Sequence, residues 1–183
     1  MPQRFSRRLF LKTSLFASLA LACGQPAWAS LAAPPTSARL NLANPHTGEK
    51  LVVTYRDELG HYEPEALDAI NHLCRCHYAD KELPIDVRTL DHLSLVTDLL
   101  GDNQEIHIIS GYRSPEYQAF LHRQGKKIAP NSLHLQGRAI DIRMPGVKAA
   151  SIRRAALQLR FGGVGYYPGR NMIHLDSGDF RTW

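Results

Sequence analysis

The sequence predicts an α+β fold in a single domain, with an antiparallel sheet and flanking helices. Segments with helical periodicity lie early and in the middle of the chain, whereas strand-like segments cluster towards its end. The 183-residue chain, less an N-terminal leader of 29 residues, leaves 154 residues, which suits one domain with its own hydrophobic core. The sequence contains no internal repeat and no low-complexity tract that would divide this length further.

The leader, residues 1–29, has the layout of an export signal. A basic start precedes an apolar run over residues 13–23, and small residues around Trp28 mark a cleavage site after Ala29. Its segment SRRLFLK, residues 6–12, resembles a twin-arginine signal, which exports proteins already folded. The apolar run is about half the roughly 20 residues that span a bilayer, and no later run comes closer. We therefore expect export to the periplasm without stable membrane insertion.

Two further expectations depend on the leader. Lipid attachment at Cys23 is the less favoured alternative, because Ala20 stands where a leucine is expected. The net charge of +5 also belongs mostly to the leader, which holds four of the 22 basic residues and no acidic residue. The remainder carries 18 basic and 17 acidic side chains. Because nucleic-acid binding usually needs a clustered basic face, we expect no nucleic-acid partner.

The first half of the exported chain predicts a hairpin and two helices. Residues 30–37 (SLAAPPTS) have the composition of a flexible lead-in. Alternating segments at residues 39–43 and 50–56 flank the turn-like stretch NPHTG, which predicts the hairpin. Pro64 begins a helical pattern, and a second pattern runs from Val87 to Leu100. The apolar side of the first pattern carries Leu67, Ile70, Leu73, Cys74 and His77.

The second half predicts four strands and two helices. Strands are expected at residues 105–110, 138–144, 164–167 and 172–176. One helix starts at Ser114-Pro115 and ends at Gly125, and another runs from Lys148 to about residue 161. The stretch Gly163-Val164-Gly165 superficially resembles a dinucleotide-binding loop. We exclude that function because Pro168 replaces the third glycine and no helix follows.

The cysteines of the exported part do not predict a disulfide or a metal cluster. Cys74 and Cys76 lie two residues apart in a segment that is expected to be helical, so their side chains should point about 200° apart. Folding should therefore not depend on a disulfide. On the same helix, His72 and His77 would surround the axis with the two cysteines instead of converging on one ion.

A second set of polar residues has the pattern of a metal site. In the strand around Ile140 and Ile142, these large apolar residues face the core, so Asp141 faces the other way. His134 precedes Gly137, where the backbone can turn back towards Asp141. The strand MIHLD, residues 172–176, projects His174 and Asp176 away from the core in the same manner.

Two histidines and one carboxylate match the three protein ligands of a catalytic zinc, whose fourth position holds water. Zinc is favoured over iron only because hydrolysis outside the cytoplasm needs a Lewis acid without redox chemistry. From spacing alone, the interpretation of these histidines as ordinary surface or packing residues stays open.

The motifs resemble those of a known family. The pattern Ser132-x-His134-x-x-Gly137-x-Ala139-x-Asp141, followed by His174, resembles the zinc D-alanyl-D-alanine peptidases, whose fold is shared with the hedgehog signalling domain. SGYRS at residues 110–114 matches the arginine motif of that family. GGVGYYP at 162–168, HLDSG at 174–178 and RTW at 181–183 resemble its exported murein endopeptidase branch, the MepK-like proteins. The resemblance covers about residues 38–183.

The resemblance implies an α+β hedgehog/DD-peptidase-like domain that holds one Zn²⁺ through His134, Asp141 and His174. It also implies a murein endopeptidase that hydrolyses peptide cross-links between stem peptides, including D-alanyl–diaminopimelate and diaminopimelate–diaminopimelate links. Two alternatives stay open: a D,D- or L,D-carboxypeptidase that trims stem peptides, and a non-catalytic, zinc-containing peptidoglycan-binding domain. The oligomeric state has no sequence signature, and a monomer is expected.

The resemblance also suggests roles around the metal. Arg113 is a permanent cation that could stabilise the oxyanion or bind a substrate carboxylate. Many relatives carry a histidine or an acidic residue two or three positions before the last zinc ligand, where this chain has Asn171 and Met172. Asp176 is then the nearest candidate for the general base, or else a group that orients an imidazole. Residues expected to contact substrate in the cleft, besides Arg113, are Ser132, Tyr112 and Tyr166, with Tyr167 as a further wall.

Overall fold

The computed structural model describes residues 37–101, 104–126 and 128–183. The predicted export signal (residues 1–29), the candidate lipid-attachment site Cys23 and all of the lead-in except Ser37 lie outside the described residues. Within the described part of the chain, the helices are too short or too polar to cross a membrane.

A seven-stranded sheet in the order β2-β1-β3-β4-β6-β5-β7 forms the centre of the domain. Its strands are β1 (Ala38–Ala43), β2 (Lys50–Arg56), β3 (Glu105–Ser110), β4 (Ala139–Arg143), β5 (Gly163–Tyr167), β6 (Met172–Asp176) and β7 (Arg181–Thr182). Most neighbours are antiparallel, but β1 pairs with β3 and β5 pairs with β7 in parallel. The α+β class is confirmed, and the sheet is mixed instead of wholly antiparallel.

The two parallel pairs follow from the connections between strands. A parallel pair needs a crossover, and the long connection between β2 and β3 supplies one through two helices. Strand β7 runs parallel to β5 because the chain passes through β6, which is antiparallel to β5, before it reaches that edge.

Four α-helices of the described residues accompany the sheet, and three of them begin with a recognisable sequence signal. The helices are α1 (Pro64–Leu73), α2 (Val87–Asp98), α3 (Pro115–Arg123) and α4 (Ala149–Leu159). The first turns of α1 and α3 contain a proline, whose missing N–H costs nothing there. Asp86 caps α2 by accepting from the Arg88 N–H, and Ser114 caps α3 by accepting from the Tyr117 N–H.

The predicted extension of α1 to His77 is wrong, because the helix ends at Leu73. Beyond Leu73, backbone groups form hydrogen bonds with other segments of the chain instead of continuing the helix. The Cys74 carbonyl oxygen accepts the Tyr112 N–H at 2.8 Å, and Cys76 forms a β-bridge with Lys81. Cys74 and Cys76 are buried, free thiols in this turn and are not part of a helix.

The hydrophobic core lies between one face of the sheet and helices α2 and α4, which pack against each other and against β6. Ile140 and Ile142 of β4, and Ile173 and Leu175 of β6, are almost fully buried in this core. Because successive side chains of a strand point to opposite faces, the residues between them project from the other face of the sheet. That other face carries the candidate site.

Candidate metal centre and substrate cleft

Three side chains from distant parts of the chain meet on the face of the sheet away from α2 and α4. The Nδ1 atom of His174 lies 2.9 Å from Oδ1 of Asp141 and 3.2 Å from Nε2 of His134. The third edge of this triangle, from His134 Nε2 to Asp141 Oδ1, is 3.3 Å. Among the described residues, these three form the group of histidine, cysteine or acidic side chains that could hold a metal ion.

A strand pairing and a short turn bring these atoms together. Asp141 of β4 and His174 of β6 are directly paired neighbours in the sheet, so their side chains stand beside each other. His134 comes from a short 3-10 turn, Leu133–Gln136, which ends at Gly137 with φ of +67°. A side chain at Gly137 would collide with the Pro84 carbonyl oxygen, so this turn requires glycine in both conformation and space.

Hydrogen bonds orient the ring of each histidine. The Nδ1–H of His134 donates to the Gly111 carbonyl oxygen at 2.7 Å, which leaves the Nε2 lone pair facing the centre. The Nε2–H of His174 donates to Oδ2 of Asp176 at 2.9 Å, which directs its Nδ1 at the same point. With the Asp141 oxygen, three atoms that can each bind a metal ion therefore converge.

The electrostatics of the group also favour a cation. Burial alone would raise the pKa of Asp141, but the adjacent His134 and His174 rings hold it well below its ordinary value. Burial alone would lower the pKa of His174, but its hydrogen bonds to Asp141 and Asp176 raise that pKa. The Asp141 carboxylate is thus ionised, and its negative charge attracts positive charge to the centre.

Asp176 is completely buried, and its carboxylate is held by five donors. Oδ1 accepts from the backbone N–H groups of Gly163 (3.0 Å) and Gly178 (2.9 Å) and from Nη1 of Arg181 (3.0 Å). Oδ2 accepts from Nη2 of Arg181 at 2.7 Å and from Nε2 of His174. Burial opposes ionisation, but these donors hold the pKa of Asp176 well below its ordinary value.

The glycines of the GGVGYYP motif make room for this arrangement. A Cβ at Gly163 would collide with the carboxylate of Asp176, and a Cβ at Gly165 would lie 2.8 Å from the indole ring of Trp183. The motif is therefore a packing requirement of strand β5, which agrees with the exclusion of a dinucleotide loop.

Arg113 lies at the inner end of the site and is buried, with 8% of its surface exposed. Its Nη2 is 3.8 Å from Oδ2 of Asp141, and its Nη1 donates to Oε1 of Gln118 at 3.3 Å. Gln118 in turn donates from Nε2 to the Ala129 carbonyl oxygen at 2.8 Å, so it links the guanidinium to the segment around residue 129. The Nε atom of Arg113 has no hydrogen-bond partner among the described residues.

These groups open into a cleft of about 750 Å³. Its lining includes the three candidate ligands, Arg113, Ser132, Tyr166, Tyr167, Arg170, Arg181 and Trp183. Tyr112 does not line the cleft, because its side chain packs against the hydrophobic core. The structure thus brings together the other residues expected in the cleft and places Asp176 directly behind His174.

Sequence reasoning assigned no role to Arg181, Trp183 or Gln118. The segment RTW, residues 181–183, belongs to a motif of the family, and that motif is the only sequence signal for Arg181 and Trp183. Strand β7 has two residues, too few for an alternation pattern, so its pairing beside β5 is visible only in the structure. Gln118 is a single polar residue of a helix and had no recognisable signal.

Comparisons with known proteins agree with this geometry. The peptidase family M15_2 model, described as peptidoglycan L,D-endopeptidase MepK, matches residues 32–183. Peptidoglycan L,D-endopeptidase MepK of Escherichia coli (strain K12) is 39% identical over 158 residues, covering 86% of each chain. The probable peptidoglycan L,D-endopeptidase MepK of Haemophilus influenzae is 36% identical over 155 residues, covering 84% of this chain and 83% of the relative. The family resemblance of the motifs is confirmed, and the chain belongs to the MepK family of M15 peptidases.

Proposed function

We propose that the protein is a zinc-dependent murein endopeptidase that hydrolyses peptide cross-links between stem peptides. One Zn²⁺ per chain is held by His134, Asp141 and His174. The observation that carries this proposal is the triangle of three potential ligand atoms, 2.9–3.3 Å apart, in the wall of the cleft. The names of the relatives, which specify peptidoglycan, support the substrate class.

The donor set fits zinc. Tetrahedral Zn²⁺ with bonds of about 2.0–2.1 Å separates its ligand atoms by about 3.3–3.4 Å, so each edge of the triangle needs to open by less than about 0.5 Å. Two imidazoles and one carboxylate are also a common ligand set of catalytic zinc. When bound, zinc supplies a Lewis acid for the scissile carbonyl and lowers the pKa of water towards about 7.

Asp176 acts through His174 and not as the general base. Both of its oxygens already accept hydrogen bonds, and the carboxylate has no exposed surface. Its bond to Nε2 keeps the proton of His174 on that nitrogen and the ring aimed at the centre, as in the carboxylate–histidine–zinc arrangement of other enzymes. Arg181 and two backbone N–H groups hold Asp176 in place for this positioning role.

Arg113 binds negatively charged oxygen of the substrate. Its long contact with Asp141 and its neutral partner Gln118 leave part of its hydrogen-bonding capacity for a ligand in the cleft. A buried cation beside the metal stabilises an oxygen on which charge develops, and it equally suits a stem-peptide carboxylate. Ser132 and Tyr166 lie in the cleft lining as polar and aromatic contacts for the same substrate.

We infer that the bond between two diaminopimelate residues is preferred over the D-alanyl–diaminopimelate bond. The support is the name of the relatives, which specifies an L,D-endopeptidase. The substrate lies outside the cytoplasm, so this function also accords with export to the periplasm through the twin-arginine leader.

Metal analysis combined with product analysis tests the proposal. Purified protein should contain one zinc per chain and convert cross-linked muropeptide dimers of intact sacculi into monomers, as measured by mass. His134→Ala should lose both zinc and turnover, because only two ligands remain. His122→Ala, which replaces an exposed histidine of α3, should retain both and serves as the matched control.

Two outcomes would contradict the endopeptidase function. Release of terminal residues from stem peptides without loss of dimers would identify a carboxypeptidase. Binding of wild-type protein to sacculi without any released product would identify a non-catalytic peptidoglycan-binding domain.

A further inference from the structure

Trp183, which follows the edge strand β7, lies beside the candidate metal centre. Its indole lies over Gly165 of β5, the residue that is paired with the metal ligand His174. The ring centroids of Trp183 and His174 are 5.1 Å apart, and Trp183 lines the cleft. A large aromatic surface therefore stands directly beside the candidate metal centre.

Several contacts hold this indole in one place. The Trp183 N–H donates to the Val164 carbonyl oxygen at 3.3 Å, and its own carbonyl oxygen accepts the Tyr166 N–H at 3.0 Å. The indole Nε1–H donates to the hydroxyl of Tyr167 at 3.1 Å. The guanidinium of Arg181, which also holds Asp176, lies 5.0 Å from the ring centroid. Such contacts reduce the entropy that a ligand would lose by ordering the side chain.

Trp183 as a whole residue is nevertheless 49% exposed, unlike the aliphatic residues of the core. A rigid, half-exposed aromatic face in a cleft is the kind of anchor that dominates binding energies at interfaces. Beside it, Arg181 and the exposed Arg170 add positive charge to the same cleft. The combination suits a residue that carries an alkyl chain and a carboxylate, such as diaminopimelate.

We propose that Trp183 is a substrate-contacting, specificity-determining residue, whose indole packs against the alkyl part of the stem-peptide residue next to the scissile bond. This inference rests on the proposed function and extends it to a named subsite. Gly165 is part of the same subsite, because a Cβ at this position would lie 2.8 Å from the indole ring and would displace it.

Fluorescence offers a test that does not alter Trp183. The chain contains two tryptophans, and Trp28 lies in the predicted leader, so the protein purified from residue 30 onwards has Trp183 as its only tryptophan. Rapid mixing of this protein with a soluble, cross-linked stem-peptide dimer should give a saturable change in tryptophan emission before product forms. Normal product formation without any emission change would overturn the inference.

Steady-state kinetics on the same dimer supply the second test. Trp183→Ala should raise KM by about tenfold or more, since an aromatic anchor is lost, whereas Trp183→Phe should raise it less. Zinc content should stay at one per chain in both variants, which excludes an effect through His174. If circular dichroism shows that Trp183→Ala is folded, an unchanged KM in this variant would reject the inference.

A double-mutant cycle tests the role of Gly165. Gly165→Ala should raise KM in the presence of Trp183 but should have no further effect in the Trp183→Ala background. Equal effects in both backgrounds would contradict the inference that Gly165 acts through the indole. If wild-type protein cleaves no cross-link at all, the proposed function fails, and the emission change upon mixing still reports whether Trp183 contacts the stem peptide.

Discussion

Asp176→Asn should weaken zinc binding although it changes few atoms. The Oδ1 position faces three donors, from Gly163, Gly178 and Arg181, so the amide oxygen of asparagine must occupy it. The amide NH₂ then takes the Oδ2 position, 2.9 Å from Nε2 of His174. Since NH₂ is a donor, Nε2 must become an acceptor, and the proton of the imidazole moves to Nδ1. That proton lies inside the ligand triangle, where it competes with the metal.

The size of the effect follows from groups that orient metal ligands in the same manner. Loss of such a partner typically costs 10–100-fold in metal affinity, which corresponds to about 1.4–2.7 kcal/mol. The upper part of this range is expected, because the variant also leaves Arg181 beside an uncharged partner. Catalytic turnover at limiting zinc should fall by the same factor, and excess zinc should restore part of it.

Competition with a chromophoric chelator measures the zinc affinity directly. Asp179→Asn is the matched control, because Asp179 is exposed and the substitution removes the same charge three residues away. Asp176→Asn protein that binds zinc within twofold of the wild type would refute the tautomer argument, provided that the control also binds normally.

Three further predictions concern the cleft, the core and the surface. Gln118→Leu removes the acceptor of Arg113, so kcat/KM on cross-linked dimers should fall roughly tenfold to a hundredfold at unchanged zinc content. Ile173→Ala should lower the free energy of unfolding in urea by about 2–5 kcal/mol, because the isoleucine is fully buried. Hydrogen bonds from Arg75 lower the pKa of Glu49 from 4.5 to about 2, so the stability that Glu49 contributes is present above about pH 4.5 and is lost as the pH falls towards 2. Glu49→Gln should therefore flatten the decline in stability over that interval, as measured by chemical unfolding at each pH.

Each of these predictions has a control of the same chemistry. Gln124→Leu changes an exposed glutamine after α3 and should leave kcat/KM unchanged. Val52→Ala changes an exposed side chain of β2 and should shift the free energy of unfolding by less than about 0.5 kcal/mol. Glu58→Gln removes an exposed carboxylate and should leave the acid dependence of stability as in the wild type. A control that behaves like its partner variant would contradict the corresponding argument.

Local patterns predicted the helix starts and the orientation of the strands well. Proline at residue 64 and the apolar periodicity from Val87 depend only on nearby residues, so these starts could be derived without the fold. The alternation of apolar and polar residues along β4 and β6 placed Asp141 and His174 on the face away from the core, because this pattern too depends only on neighbouring residues. The end of α1 could not be derived, because it depends on Tyr112, which is distant in sequence and binds the Cys74 carbonyl oxygen.

The positions of the side chains around the candidate site depend even more on contacts between distant parts of the chain than the end of α1 does. Sequence reasoning left two roles open for Asp176, since the neighbours that occupy its oxygens come from separate strands and turns. Tyr112 was expected in the cleft, but its side chain packs against the hydrophobic core, a contact that the local sequence does not reveal. Trp183 acquires its position from β7, whose pairing no local pattern predicts.

The pairing of β4 with β6 has a consequence for how errors in folding can be detected. Asp141 and His174 are 33 residues apart in sequence and stand side by side only in one alignment of these strands. A slip of one residue would exchange His174 for Ile173 or Leu175 and turn the imidazole into the apolar interior. Under the proposed function, a molecule with misaligned strands would lack the complete ligand set, so metal occupancy would report correct assembly.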